Sequence, residues 1–583
     1  MTFRSLINAR EQDSISWHIT VWMVMMKICF FKLTGGSRVK CFGLLCLSAA
    51  TAIACPGTRA QGTFTAATCN QPDVNAVING PTHVAVNGDT IIIPAAGSPC
   101  TWTSGITING VGINITGTGT PNTGAGTMGA GKSNTTLVDH ASVALFAFIN
   151  LSFGDTAKVE LLTMSAAGAA NYASLGPISF QGTCTLSGCA NIRVDNINFS
   201  AGTWASPIAN GAYIRVDNVF GVIDHTTVNE TSFPLGGAGP PLVNGGNSAW
   251  QGVGGNGDNS FATADTLGTA QQLYIENNSA TGIRFNDNDV PPTNGGIGGA
   301  RLTCRFNVTF NMNGSGACGA AHGTAWGGRF RGQRQLEAYY NTVNCTPSAA
   351  CNLGFSVPSG TGYIFSNTFV GSGFNFSVGL SLYRTQGYGQ SPWNNCDGTR
   401  PWDQTPWNST SKCLDQPGSG AGLLLQNGTP VLASAPGTPC TTAGQCWTQN
   451  ALDPVYEAGD TGAHLNSNIN VSDPTRLAGY YYAQVSQSAQ TTPTSPFNGT
   501  SGTGYGTMVN RPTTCTTRVG YWATDQGTWR NGGPGGVLYK CTATNTWTKA
   551  YEPYTYPHPL ITGGASGTGT SINPPTGLTA TVQ

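Results

Sequence analysis

One short phrase recurs along this chain: apolar residues in alternation, an Asn, then apolar residues again. It reads Ile192-x-Val194-x-Asn196-Ile197-x-Phe199 and Ile214-x-Val216-x-Asn218-Val219. It returns as Tyr274-Ile275-x-Asn277, Phe306-Asn307-Val308-x-Phe310, Tyr339-x-Asn341-x-Val343 and Phe365-x-Asn367-x-Phe369. The spacing is 22 residues from Asn196 to Asn218, 30 from Asn277 to Asn307, 34 on to Asn341 and 26 on to Asn367. A period in the twenties that tolerates insertions marks a solenoid, and period-two alternation inside each unit makes that unit a strand. The expected fold is an all-β parallel β-helix in which each phrase supplies a strand to a successive coil. The recurring Asn is then structural, because stacked amides hydrogen-bond down a solenoid and satisfy its turns.

Composition agrees. Gly numbers 80 of 583 residues and charged residues are only 9%, a poor composition for helices and a good one for short strands and turns. The hydrophobic fraction of 39% is enough for a core. A net charge of +0 gives no bulk attraction to nucleic acid or to an anionic membrane. Near the start, Lys27, Lys32, Arg38 and Lys40 precede the apolar run Cys41–Ala54, which is short for a spanning helix. This reads as a signal peptide cleaved after Ala54 or Ala60, with a membrane anchor as the competing reading. Beyond residue 60 stand fourteen cysteines, and neighbours pair as 69–100, 184–189, 304–318, 345–351, 396–413, 440–446 and 515–541. A solenoid rarely returns to a distant segment, so its disulfides staple local loops. No clustered Cys/His spacing favours zinc. The protein is expected to be secreted or at the cell surface, monomeric and without a membrane span.

Residues 73–78 carry Val74, Val77 and Ile78 on one side of a short helix, and Gly88-Asp89-Thr90 then turns into Ile91-Ile92-Ile93-Pro94. This opening, with Ile106–Thr120 after it, resembles the secreted right-handed β-helix proteins of the pectate-lyase-like superfamily, in which a small helix caps the first coil. The resemblance implies a right-handed solenoid acting on polysaccharide. The layout expected is a leader at 1–60, cap and first coil at 61–105, the β-helix with loop insertions at 106–510, a small aromatic β module at 511–562 and a linker with a terminal strand at 563–583. Late coils are expected at 422–425 and 455–471. The module's Trp and Tyr residues either stack on sugar rings or plug the last coil.

Charged residues are scarce enough for their clustering to inform. Asp224-His225 in GVIDHTTV resembles the WIDH strand of pectate lyases, with Val222 where the Trp stands. Asp287 and Asp289 follow, then Arg301 and Arg305, then His322, Trp326, Arg329, Arg331, Arg334 and Glu337. If successive coils bring these onto one face, Arg forks bind uronate carboxylates and stabilise an enolate. His225, His322 or an Arg of lowered pKa then serves as base. Asp287 and Asp289 are the residues placed to hold Ca²⁺. Asp224, Asp287 and Asp289 alternatively supply the acid and base of a glycoside hydrolase. The catalytic candidates are therefore Asp224, His225, Asp287, Asp289, His322, Arg329, Arg331 and Arg334. Arg301, Arg305, Glu337, Trp250 and Trp326 are the candidate substrate contacts. The competing reading of the Arg/Asp group is salt bridging within coils, and that of Asp224-His225 is a hydrogen-bonded turn. Three classes stay open: an enzyme cleaving an acidic polysaccharide by β-elimination or hydrolysis, a glycan-binding or adhesion protein, and a structural surface protein.

Overall fold

The computed structural model describes residues 60–562 apart from 81–82, 168–175, 185–187, 201–203, 205–211, 231–240, 247–259, 261–263, 288–298, 312–315, 320–332, 346–352, 372–375, 381–416, 421–424, 427–428, 431–450, 463–466, 472–478, 480 and 485–496. Its strands stack as a right-handed parallel β-helix. Sheet 1 carries one strand per coil, in chain order: β1 (Thr63–Thr65), β2 (Thr90–Ile92), β3 (Asn114–Thr116), β4 (Thr156–Glu160), β5 (Ala190–Asp195), β6 (Val219–Asp224), β7 (Leu273–Glu276), β8 (Arg301–Arg305), β9 (Gln335–Tyr339), β10 (Thr361–Phe365), β11 (Val455–Ala458) and β12 (Tyr481–Tyr482). Among the described residues, a second sheet of ten strands and a third flank, six strands followed by four, complete the coils.

Alternation sets the core. In sheet 1 the inward positions form the column Ile115, Val159, Val194, Ile223, Ile275, Cys304, Ala338 and Ile364, each paired in register with the next. All eight are buried, and a fully buried Val or Ile is worth about 1.5–3 kcal/mol. Gly221, in β6, has φ +124 and passes so close to the coil above that a Cβ would lie 2.1 Å from the Ile192 carbonyl oxygen. No other residue fits there.

At the N-terminal end α1 (Gln71–Asn79) buries Val74 and Ile78 over the first coil. The Trp102 indole donates to the Cys69 carbonyl at 2.8 Å, beside the Cys69–Cys100 disulfide. Covering the open end protects apolar stack and strand edges that a terminal coil would otherwise expose. Among the described residues, the predicted pairs 69–100, 184–189, 304–318 and 515–541 are formed. Cys345 is disulfide-bonded, while Cys351, Cys396, Cys413, Cys440 and Cys446 lie outside the described residues. Of the late coils, 455–471 contributes β11 and a strand at Ser467–Val471, and 422–424 lies outside the described residues. No helix among the described residues is long and apolar enough to cross a membrane.

The recurring Asn proves to be three different positions. Sheet 1 passes into the second sheet through two residues. The first is left-handed: Leu161, Asn196, His225, Asn277, Phe306, Tyr340 and Ser366 have φ between 47° and 59°. The second points inward, and here lies the amide ladder. Nδ2 of Asn278, Asn307 and Asn341 each donates at 3.0 Å to Oδ1 of the next rung, and Asn367 ends the ladder on Asp460 at 2.9 Å. Asn307, Asn341 and Asn367 hold the expected role. Asn196 and Asn277 instead take the left-handed position, which Asn tolerates, and Asn218 (φ 55°) turns the chain at the other end of the strand, before β6.

The C-terminal sheet comprises β13 (Thr503–Gly506), β14 (Gly520–Ala523), β15 (Val537–Ala543) and β16 (Thr546–Tyr551), so its first strand precedes residue 511. The Thr503 amide donates to the Ala483 carbonyl at 2.8 Å, continuing the stacking of sheet 1. Trp522, Trp529, Tyr551 and Tyr556 then pack on Tyr339, Tyr363, Phe365 and Tyr456, outward residues of β9–β11. These four aromatics are thus buried against the flank of the solenoid, while Tyr521 packs with Phe497, Val519 and Cys541, with Tyr482 of β12 beside them.

Candidate functional site

Register dictates which side chains share the outer face of sheet 1. Glu160, Asp195, Asp224, Glu276, Arg305, Tyr339, Phe365 and Ala458 form one outward column, one residue per rung. The next column, two residues earlier in each strand, runs Lys158, Arg193, Val222, Tyr274, Thr303, Glu337, Tyr363 and Tyr456. The predicted residues Asp224, Arg301, Arg305 and Glu337 therefore do meet on one face, with His225 in the turn that follows Asp224. Arg334 stands just before β9, 3.7 Å from Asp453. Asp287 closes the strand Arg284–Asp287 of the third flank, next to Asn244. Trp250, Asp289, His322, Trp326, Arg329 and Arg331 lie outside the described residues.

These outward groups are not open to solvent. Arg193 is 7% exposed, Asp195 3%, and Asp224, His225, Glu276, Arg305 and Glu337 0%. Among the described residues, three segments close over them. The loop between the paired strands Gly119–Thr120 and Lys132–Ser133 lies over the turns that follow β5–β7, its Asn122 and Gly131 amides donating to Asn196 Oδ1 at 2.7 and 2.8 Å and its Gly129 amide to the Asn277 carbonyl at 2.9 Å. The stretch 264–272 sits beside β8 and β9, where the Gly268 amide donates to Glu337 at 2.7 Å and Thr266 accepts from Arg301 at 2.9 Å. The third is the C-terminal segment 551–562.

At the upper end, Arg193 binds Asp224 through two nitrogens, at 3.0 and 2.9 Å, and stands 2.7 Å from Asp195. Both ring nitrogens of His225 face oxygens, Asp224 Oδ2 at 2.8 Å and the Gly124 carbonyl at 3.1 Å. Burial alone would lower its pKa, but the Asp224 contact and this carbonyl outweigh that and raise it. An imidazolium donates to both partners at once. The two carboxyls separate: burial and the neighbouring Asp224 charge push Asp195 up to about 8. Burial would also raise Asp224, yet the bonds from His225 and Arg193 hold it below the usual carboxylate range. Asp195, Asp224 and His225 bring ligand-type atoms within 4.8 Å of one another. The cation position between the carboxylates is nevertheless filled by the Arg193 guanidinium, so this trio does not fit a metal ion.

One rung on, Arg305 Nε lies 2.6 Å from Glu276 Oε2, and its ring-facing side rests on Tyr274 at 4.6 Å. Burial raises Glu276 above the usual carboxylate range, against the opposing pull of Arg305 and the His558 amide. Burial likewise raises Glu337, which accepts from Tyr551, the Gly268 amide and Gln272.

Sequence reasoning missed Arg193, Asp195 and Glu276. Their signal was present, because an acidic residue directly precedes the left-handed turn in Asp195-Asn196, Asp224-His225 and Glu276-Asn277. No protein-family model matches this chain, and neither the curated proteins nor the solved structures contain a significant match.

Proposed function

We propose that this chain is a secreted, polysaccharide-active β-helix protein related in design to the pectate-lyase-like superfamily, and that it engages an acidic polysaccharide along the outer face of sheet 1. One observation carries this reading. Rungs β5–β8 hold Arg193, Asp195, Asp224, Glu276 and Arg305 beneath the same kind of cover that at β9–β11 rests on Tyr339, Phe365 and Tyr456. Desolvating a charge costs several kcal/mol, and an apolar replacement is often as stable or more so. Charges kept where aromatics suffice a few rungs away favour a chemical use.

The split pair suggests the chemistry. A protonated Asp195 beside an ionised Asp224 offers one proton donor and one acceptor, although their ligand atoms, within 4.8 Å of one another, stand closer than the roughly 5–5.5 Å or more between the paired carboxyls of glycoside hydrolases. Arg305 suits a uronate carboxylate. The disulfides support an extracellular setting. The chain is incubated with a panel of uronate and neutral polysaccharides. New reducing ends without ultraviolet absorbance from unsaturated ends, lost in Asp195→Asn and Asp224→Asn, support hydrolysis; the absorbance supports β-elimination. Cleavage undiminished in both variants takes the chemistry away from this pair and spares the enzyme class; no cleavage of any polysaccharide removes the catalytic reading.

A second reading, a non-catalytic glycan-binding or structural surface protein, is favoured by the complete burial of Asp224, Glu276 and Arg305. Binding without product selects it.

A further inference from the structure

Resting on the reading above, we propose that the C-terminal segment 551–562 is a built-in competitor, occupying the groove over β5–β9 that an extended uronate oligomer would fill. The segment crosses successive rungs instead of pairing with any one strand of sheet 1. Five rungs give a groove about 19 Å long at ~4.8 Å per strand.

The grip on this segment is largely independent of its sequence. Arg305 donates to the carbonyl oxygens of Tyr554 at 2.7 Å and Thr555 at 2.9 Å. Arg193 donates to the carbonyls of Leu560 at 3.2 Å and Ile561 at 3.5 Å. Glu276 accepts the His558 amide at 2.9 Å. Two adjacent carbonyl oxygens on one guanidinium occupy the place of the two oxygens of a carboxylate. A main-chain N–H on Glu276 occupies the place of a sugar hydroxyl. The same acceptors and donors therefore serve an acidic sugar chain without rearrangement of the rungs.

The side chains of the segment anchor it beside these groups more than upon them. The Tyr556 ring stacks on Phe306 at 3.8 Å and its hydroxyl donates to Asn277 at 2.7 Å. Among the described residues the His558 ring is buried against Tyr274 at 4.9 Å, with Nε2 unbonded. Neither Phe306 nor Asn277 belongs to the charged column, so the anchor can be loosened with the proposed ligand groups intact.

The test uses the full chain. Tetragalacturonate and, as neutral control, cellotetraose are titrated calorimetrically into the wild type, Tyr556→Ala and His558→Ala, the last disturbing a smaller anchor in case Tyr556→Ala fails to fold. The competitor lowers apparent affinity by the fraction of open chains. Expected is tetragalacturonate binding about tenfold tighter, or more, in the folded loosened variants, with cellotetraose unaffected. Equal tetragalacturonate affinity in wild type and folded variants overturns the competitor while leaving the acidic-polysaccharide reading standing. Absence of tetragalacturonate binding in every folded form overturns both.

Discussion

Arg305 and Glu276 face each other on adjacent rungs of sheet 1, Nε to Oε2 2.6 Å apart, with neither side chain reaching solvent. The pair also holds the C-terminal segment, Arg305 by two carbonyls and Glu276 by one amide. Breaking a buried pair by removing one partner leaves an uncompensated group and costs about 3–5 kcal/mol. Arg305→Met should lose stability of that order, and Arg305→Met/Glu276→Gln should recover most of it. Denaturant unfolding of both single variants and the double variant checks this; strict additivity would show that the two residues do not act as a pair.

The amide ladder predicts a contrast between Asn341 and Asn150, which also follows alternating apolar residues in Phe146-x-Phe148-x-Asn150. Asn341 accepts at Oδ1 from the Asn307 side chain and amide, and donates to Asn367 and the Cys304 carbonyl. Asn341→Ala leaves several buried groups unpaired at about 1–3 kcal/mol each. Its midpoint in denaturant should fall far more than that of Asn150→Ala, whose exposed side chain donates only to Asn109.

Gly221→Ala is expected to destabilise by about 3 kcal/mol or more, since backbone strain and overpacking act together. The Cβ would meet a carbonyl of the coil above at 2.1 Å, on a backbone with φ +124. A cooperative melt unchanged from wild type would show that β6 can shift.

Two groups of opposite sign, His558 and Asp195, contribute to the pH dependence of stability. Burial lowers His558 from 6.5 to about 3, with Arg305 and Arg193 adding to the effect and Asp224 opposing it. Around it stand Tyr274, Tyr554, Glu276 and these same charges. Its contribution is present above 6.5 and is lost as pH falls toward about 3. Asp195 is raised from 3.8 to about 8, so its contribution is full below 3.8 and is lost as pH rises through about 8. Unfolding free energy measured across pH should have a shallower acid limb in His558→Gln than in the wild type. Its neutral-to-alkaline decline should be shallower in Asp195→Asn.

How far the sequence speaks depends on the range of the interaction concerned. Ile192, Val194 and Ile223 alternate because strands do, so the coils and their inward columns are readable directly. The capping helix and the local disulfides are readable for the same reason, since their partners are near in sequence. The Asn phrase misled because the left-handed turn residue and the inward ladder residue are neighbours. Asn277 and Asn278 cannot be assigned until the register of Phe306-Asn307 is known. Asp195 and Glu276 stood in positions treated as filler within the phrase. Nothing periodic announced that Arg305 would meet Tyr554 and Thr555, about 250 residues away in sequence, or that Glu276 would meet His558. The face was foreseeable, but its cover was not.

Amide hydrogen exchange on the unmodified chain, with and without tetragalacturonate at a concentration that saturates Tyr556→Ala, tests the central claim most directly. A ligand seated on Arg193, Glu276 and Arg305 must displace 551–562, so exchange at the His558 amide and its neighbours should speed up while the strands of sheet 1 stay protected. Saturable binding that leaves exchange in 551–562 unchanged or slower would place the ligand elsewhere and contradict the account.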